Sequence, residues 1–210
     1  MRSILEGLHR RRHLAWIGFV GYAAAVTFPH EQVQLIVGHI ADRLTRPGLY
    51  RVSAEIAIAL AAAATIVLLW RLRTHPERAR IAGYWALTLG LIWCTWRVFT
   101  ANNTELVHYP QYFPEGMALV AMTLSPIESL AWITLFAGLD EGYQYWVLYP
   151  KRVSALDFND IYMDLLGGAA GALFAMAFLH CSRRRGRFWI WRPGVLAMLG
   201  TIGAGDQLPE

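Results

Sequence analysis

What most constrains this chain is a succession of long apolar runs punctuated by arginine clusters. The runs cover residues 14–29, 50–70, 81–99, about 107–124, 127–148 and about 158–180. A bilayer span takes roughly 20 apolar residues, so a chain of 210 residues has room for about six with short loops. Composition points the same way: 56% of residues are hydrophobic and 16% charged, with a mean hydropathy of +0.33. A water-soluble domain carries charge at about a quarter of its positions. Continuous runs rather than alternating strands exclude a β-barrel, and in lipid the backbone must find its partners within helices. The expected fold is therefore all-α, a polytopic membrane helical bundle of about six transmembrane helices with amphipathic interfacial helices beside them.

The net charge of +4 comes from nineteen basic residues, all Arg except Lys151. Arg10, Arg11 and Arg12 precede the first run. Arg71, Arg73, Arg78 and Arg80 separate the second from the third, and Arg183, Arg184, Arg185 and Arg187 follow the sixth. These clusters fit cytoplasmic anchors under the positive-inside rule and not a nucleic-acid surface, which would need stacking platforms in water. They predict a multi-pass protein of the inner (plasma) membrane with both termini cytoplasmic. Residues 23–25 mimic a signal-peptide cleavage site, but the run around them is longer than a usual signal core. Cys94 falls mid-span and Cys181 at a basic end, at depths that forbid a disulfide.

Residues 32–46 carry apolar side chains at helical spacing and end at Pro47-Gly48, the pattern of an amphipathic helix lying in an interface. Residues 188–203 are interrupted by Arg192-Pro193 and fit an interfacial or re-entrant tail better than a seventh span. The chain so divides into an N-terminal membrane segment (1–100), a helical region of three spans (101–182) and a basic tail (183–210).

Acids gather at one end of the last three runs. Glu105, His108, Tyr112 and Glu115 share a face if the segment is helical. Asp140 and Glu141 lie near the end of the fifth run, with Gln144 one turn beyond Glu141. Asp157, Asp160 and Asp164 form a row that continues through Gly167 and Gly171, small residues that let a neighbouring backbone approach. Seven carboxyls face at most three cations, Arg97, Lys151 and Arg152. In low dielectric they cannot all be ionised and unpaired. Ionisable groups inside a membrane mark functional sites by default.

The order Glu105-x-x-His108 with Tyr112 and Gly116, Glu141-x-x-Gln144, Pro150-x-Arg152 and Asp160-x-x-x-Asp164-x-x-Gly167 resembles the motifs of VanZ-like membrane proteins. Asp164 stands where that pattern has Asn, and either Asp157 or Asp160 is the equivalent acid. The resemblance implies a cell-envelope setting linked to glycopeptide antibiotic resistance, through teicoplanin, and no particular reaction.

The expectation is a ligand site at the outer side, built from Glu105, His108, Tyr112, Glu141, Gln144, Arg152, Asp157, Asp160 and Asp164, with Gly167 and Gly171 packing the helices. Its ligand would be a lipid headgroup, an antibiotic or another polar group. The alternatives are a lipid-modifying enzyme using carboxylates as acid and base, a cation-coupled transporter, or a membrane scaffold. No outer-face Ser or Cys nucleophile, phosphate loop or second Glu-x-x-His is present, so the reading leans away from catalysis. It assigns no cofactor and no metal. Membrane lipid and a further copy or another subunit are the expected partners, and nucleic acid is not.

Overall fold

The structure, a computed structural model, describes residues 1–100, 103–150 and 157–179. Among the described residues eight α-helices follow in order: α1 Arg2–Arg10, α2 Arg12–Thr27, α3 His30–Leu44, α4 Arg46–Leu72, α5 Arg78–Val98, α6 His108–Thr123, α7 Pro126–Tyr143 and α8 Phe158–Met176. A 3-10 turn, Asn103–Val107, leads into α6, and a π-turn, Gln144–Leu148, extends α7.

Local chemistry sets several of the boundaries. Ser125 Oγ accepts from Glu128 N at 3.3 Å, and Pro126 fills the first turn of α7, where a missing N–H is harmless. Asp157 Oδ1 accepts from Asn159 N at 2.9 Å and starts α8. Leu124 closes α6 in the left-handed conformation, φ 54°. Pro114 sits inside α6, within its first two turns.

Helix α8 is the centre. It packs most closely on α6, then on α7 and α5, while α1 and α2 cover α6 from the other side. Backbones meet where glycines allow it: a Cβ on Gly116 would run into the carbonyl of Gly168, and one on Gly171 into that of Phe113. Around this contact Val120, Ala121, Phe174 and Ala175 join Leu5, Leu68, Ile81 and Trp85 in one apolar cluster. Tyr112, Leu119, Ile133 and Ala137 join Phe19 in a second.

The fold corrects the expectation of six transmembrane helices. Helices do occupy the six apolar runs, but among the described residues only α4, 27 residues, is long and apolar enough to cross a membrane. At 1.5 Å per residue the sixteen-residue α2 and α6 reach about 24 Å, short of a hydrocarbon core of about 30 Å. Helix α7 carries Glu128, Asp140 and Glu141, and α8 carries Asp160 and Asp164. The acids are turned against neighbouring helices: Asp140, Glu141 and Asp164 are buried in intramolecular packing.

What rested on six spans falls with them. The multi-pass inner-membrane location with cytoplasmic termini is not supported by one such helix. Nor are the cell-envelope and antibiotic-resistance setting, the intramembrane site for a lipid headgroup or antibiotic, the alternatives of lipid-modifying enzyme, transporter and scaffold, or the membrane-lipid and transmembrane-oligomer partners. The findings support an all-α domain whose helices pack extensively on one another. The segment 32–46 is helical through residue 44 as part of α3, which has no buried residue, and its placement in a membrane interface falls too. Lys151, Arg152, Cys181, the basic cluster 183–187 and the tail 188–203 lie outside the described residues.

Candidate functional site

Three helices converge on one imidazole. His108, the first residue of α6, is buried, and its Nδ1 lies 2.9 Å from Asp164 Oδ1 on α8. One turn earlier on α8, Asp160 Oδ2 lies 3.6 Å from His108 Nε2. Both ring nitrogens therefore face carboxylates. Asp164 is fully buried, whereas the Asp160 side chain is 20% exposed, so the row runs from an interior acid to one at the surface.

One turn along α6 from His108, Tyr112 donates its hydroxyl to Asp140 Oδ2 of α7 at 3.3 Å. Glu115 follows on the same side of α6 and is 1% exposed. Gln144 Nε2, in the π-turn, donates to Glu141 Oε1 at 2.9 Å. Local spacing explains the convergence: positions three, four and seven apart stack on one helix face. That rule brings His108, Tyr112 and Glu115 to one side of α6, and Asp160 and Asp164 to one side of α8.

The electrostatics follow from burial and crowding. Burial works against an imidazolium at His108, but the hydrogen bond and charge of Asp164, with the charges of Asp160 and Glu141 behind them, outweigh it and push His108 up to about 9. Burial, reinforced by Asp160, Asp140 and Asp164, pushes Glu141 up to about 9. It also pushes Glu115 up to about 8, with Asp164 and Asp140 adding to it. Asp164 rises to about 7 through burial, against the pull of its bond to His108. Asp160 is raised by burial too, His108 pulling the other way. Tyr112, buried among the acids, is raised far enough to stay a phenol.

Three carboxyl oxygens in this cluster have no hydrogen-bond partner among the described residues: Glu115 Oε2, Asp140 Oδ1 and Asp164 Oδ2. Buried polar atoms rarely stand alone, and protons shared among the acids relieve their mutual repulsion. Among the described residues no three His, Cys, Asp or Glu side chains are arranged to hold a metal ion. The arrangement can hold, donate and accept protons.

Of the expected site residues, the structure brings His108, Tyr112, Glu141, Gln144, Asp160 and Asp164 into one neighbourhood, where hydrogen bonds join His108 to Asp164, Tyr112 to Asp140 and Gln144 to Glu141. Asp157 is elsewhere in role, an exposed cap on α8. Glu105 lies in the 3-10 turn ahead of α6, half-buried, and Arg152 is outside the described residues. Gly167 and Gly171 face the α6 backbone, at Tyr109 and Phe113. Arg97, one of the three cations counted against the acids, stacks over Trp93, 5.9 Å from its ring centre. Glu115 and Asp140 were not among the expected site residues although both are buried in it. The signal for Glu115 was its place seven residues after His108, and for Asp140 its adjacency to Glu141.

No family model, no curated protein and no solved structure matches this chain. The resemblance to VanZ-like proteins rests on its motifs alone.

Proposed function

We propose that the junction of α6, α7 and α8 is a general acid–base centre that takes up and releases a proton at His108. Asp164 orients the imidazole from the buried side and balances its charge, as a carboxylate behind a histidine does in acid–base sites. Asp160, at the partly exposed end, is the group through which the proton exchanges. Glu141, held by Gln144 and kept protonated by burial, stands beside them as a second proton-holding acid.

The observation that carries this reading is the imidazole between two carboxylates, one fully buried and one at the opening. A bond made only to fasten two helices needs one acceptor for the ring, and here the second nitrogen also faces an acid. Nitrogen-15 NMR of histidine-labelled protein tests it, with His108→Gln assigning one signal among the seven histidines. His108 is expected to titrate near 9 and to return to or below the ordinary value of about 6.5 in Asp164→Asn. Titration near the ordinary value in the unaltered protein, or no response to Asp164→Asn, overturns the proposal.

A further inference from the structure

A second feature lies beside this centre, a cavity of about 740 Å³ between α1, α2 and α6. Its walls are mainly apolar, with Leu8, Leu14, Phe19 and Ala118 among them. Four polar side chains interrupt them: Arg10, Arg11, Tyr22 and Glu115. The size and the few polar groups in an apolar wall are those of small-molecule sites.

The direction of the helices places these polar groups. His9 Nδ1 lies 3.3 Å from the carbonyl of Met122, and Tyr22 donates to the carbonyl of Gln111 at 2.8 Å. Helix α2 therefore runs antiparallel to α6, with Arg10 and Arg11 towards the Met122 end and Glu115 towards the Tyr22 end. Seven residues of α6 separate Glu115 from Met122, about 10 Å along the axis. Neither arginine side chain makes an ion pair or hydrogen bond with a described residue. Glu115, 1% exposed, leaves Oε2 without a partner.

We infer that this cavity binds a free single-chain carboxylate, its carboxylate on Arg10 and Arg11 and a distal hydroxyl or carbonyl oxygen on Glu115. Two free guanidiniums select an anion, and the apolar wall between them and Glu115 takes a hydrocarbon body. Glu115 holds its proton through neutral pH, because burial raises it, and so meets the distal oxygen as a donor. Binding here does not depend on proton exchange at His108. Glu115 is the one side chain common to both places.

Titration calorimetry of the full chain tests it with decanoate, ω-hydroxydecanoate and decylammonium. One equivalent of decanoate is expected to bind, the terminal hydroxyl to tighten it severalfold, and decylammonium to bind about tenfold more weakly or not at all. Glu115→Ala should erase the advantage of the hydroxyl. A Cβ at Gly18 meets nothing within 4 Å, so Gly18→Leu should fill the cavity without a clash at its root and weaken both acids by about tenfold. The double variant Arg10→Gln/Arg11→Gln, at exposed positions, should do the same, and decides alone if Gly18→Leu fails to give the wild-type circular dichroism. No binding, binding unchanged in the arginine variant, equal binding of the ammonium, or weaker binding of the hydroxy acid than of decanoate overturns the inference.

Discussion

His108 Nδ1 and Asp164 Oδ1, 2.9 Å apart, join α6 to α8 across 56 positions of sequence in a buried setting. A buried ion pair adds little against an apolar replacement, yet losing one member strands the other. Asp164→Asn should therefore destabilise the fold by about 3–5 kcal/mol in urea unfolding. His108→Asn combined with Asp164→Asn should cost less than the sum of the two, with a coupling of about 0.5–3 kcal/mol. Strict additivity would show that the two side chains are neighbours without being partners.

Loss of protons should make the fold less stable as pH rises. Glu115 and Glu141 keep their protons in the folded chain to about 8 and about 9, against 4.5 ordinarily, and His108 keeps its proton to about 9 against 6.5. Between these limits the native chain binds more protons than the unfolded one, so stability is fully present below about 4.5 and lost as pH climbs towards 9. Each group acting alone contributes a slope of about 1.4 kcal/mol per pH unit within its own window. The groups are close enough to titrate together, and thermal unfolding from pH 5 to 9 reads their joint effect. Tm should fall across that range, and Glu115→Gln should flatten the fall. A Tm that rises with pH contradicts the assignment.

The helices were legible in the sequence because apolar runs and arginine punctuation mark them directly. Most of segment 32–46 lies in α3, its last residue opening α4, and 50–70 lies inside α4. What hydropathy along a window does not tell is whether an apolar side chain meets lipid or another helix. In α6, α7 and α8 the polar residues lie on the mutual faces, and the runs are shorter or more charged than a span requires. The site was legible where helical spacing governs it, as for His108 with Tyr112 and Asp160 with Asp164. The contact between His108 and Asp164 is tertiary, set by the glycine-lined approach of α8 to α6, and spacing within one helix carries no information about it. Asp157 and Asp160 illustrate the limit: three residues apart in one acidic row, one caps the helix and the other faces the imidazole.

The glycines of that approach should be the least replaceable on the two helices. Gly116→Ala and Gly171→Ala each put a methyl group into a backbone carbonyl of the facing helix. Overpacking of this kind costs about 1–3 kcal/mol, and more where backbone must move. Gly38→Ala, within α3 with nothing within 4 Å of the new methyl, should instead stabilise by about 0.5–1 kcal/mol. Chemical unfolding of the three variants checks the contrast. Equal effects at Gly38 and Gly171 would remove the argument for close helix approach.

Asp157 and Asp160 should separate stability from proton binding. Asp157→Ala deletes a side chain that accepts from the first turn of α8, so about 1 kcal/mol of stability should be lost. Asp157 is exposed and does not face His108, so the imidazole should titrate as before. Asp160→Asn removes a charge 3.6 Å from His108 Nε2, and burial then meets less opposition, so the imidazole should titrate at lower pH. Asp160 makes no short bond to the ring and is 20% exposed, so its loss should cost less stability than that of Asp164. Unfolding and histidine NMR on the same two variants give both readouts. If Asp157→Ala moved His108 as far as Asp160→Asn did, the shift would reflect the general charge of the helix start and not a carboxylate aimed at the ring.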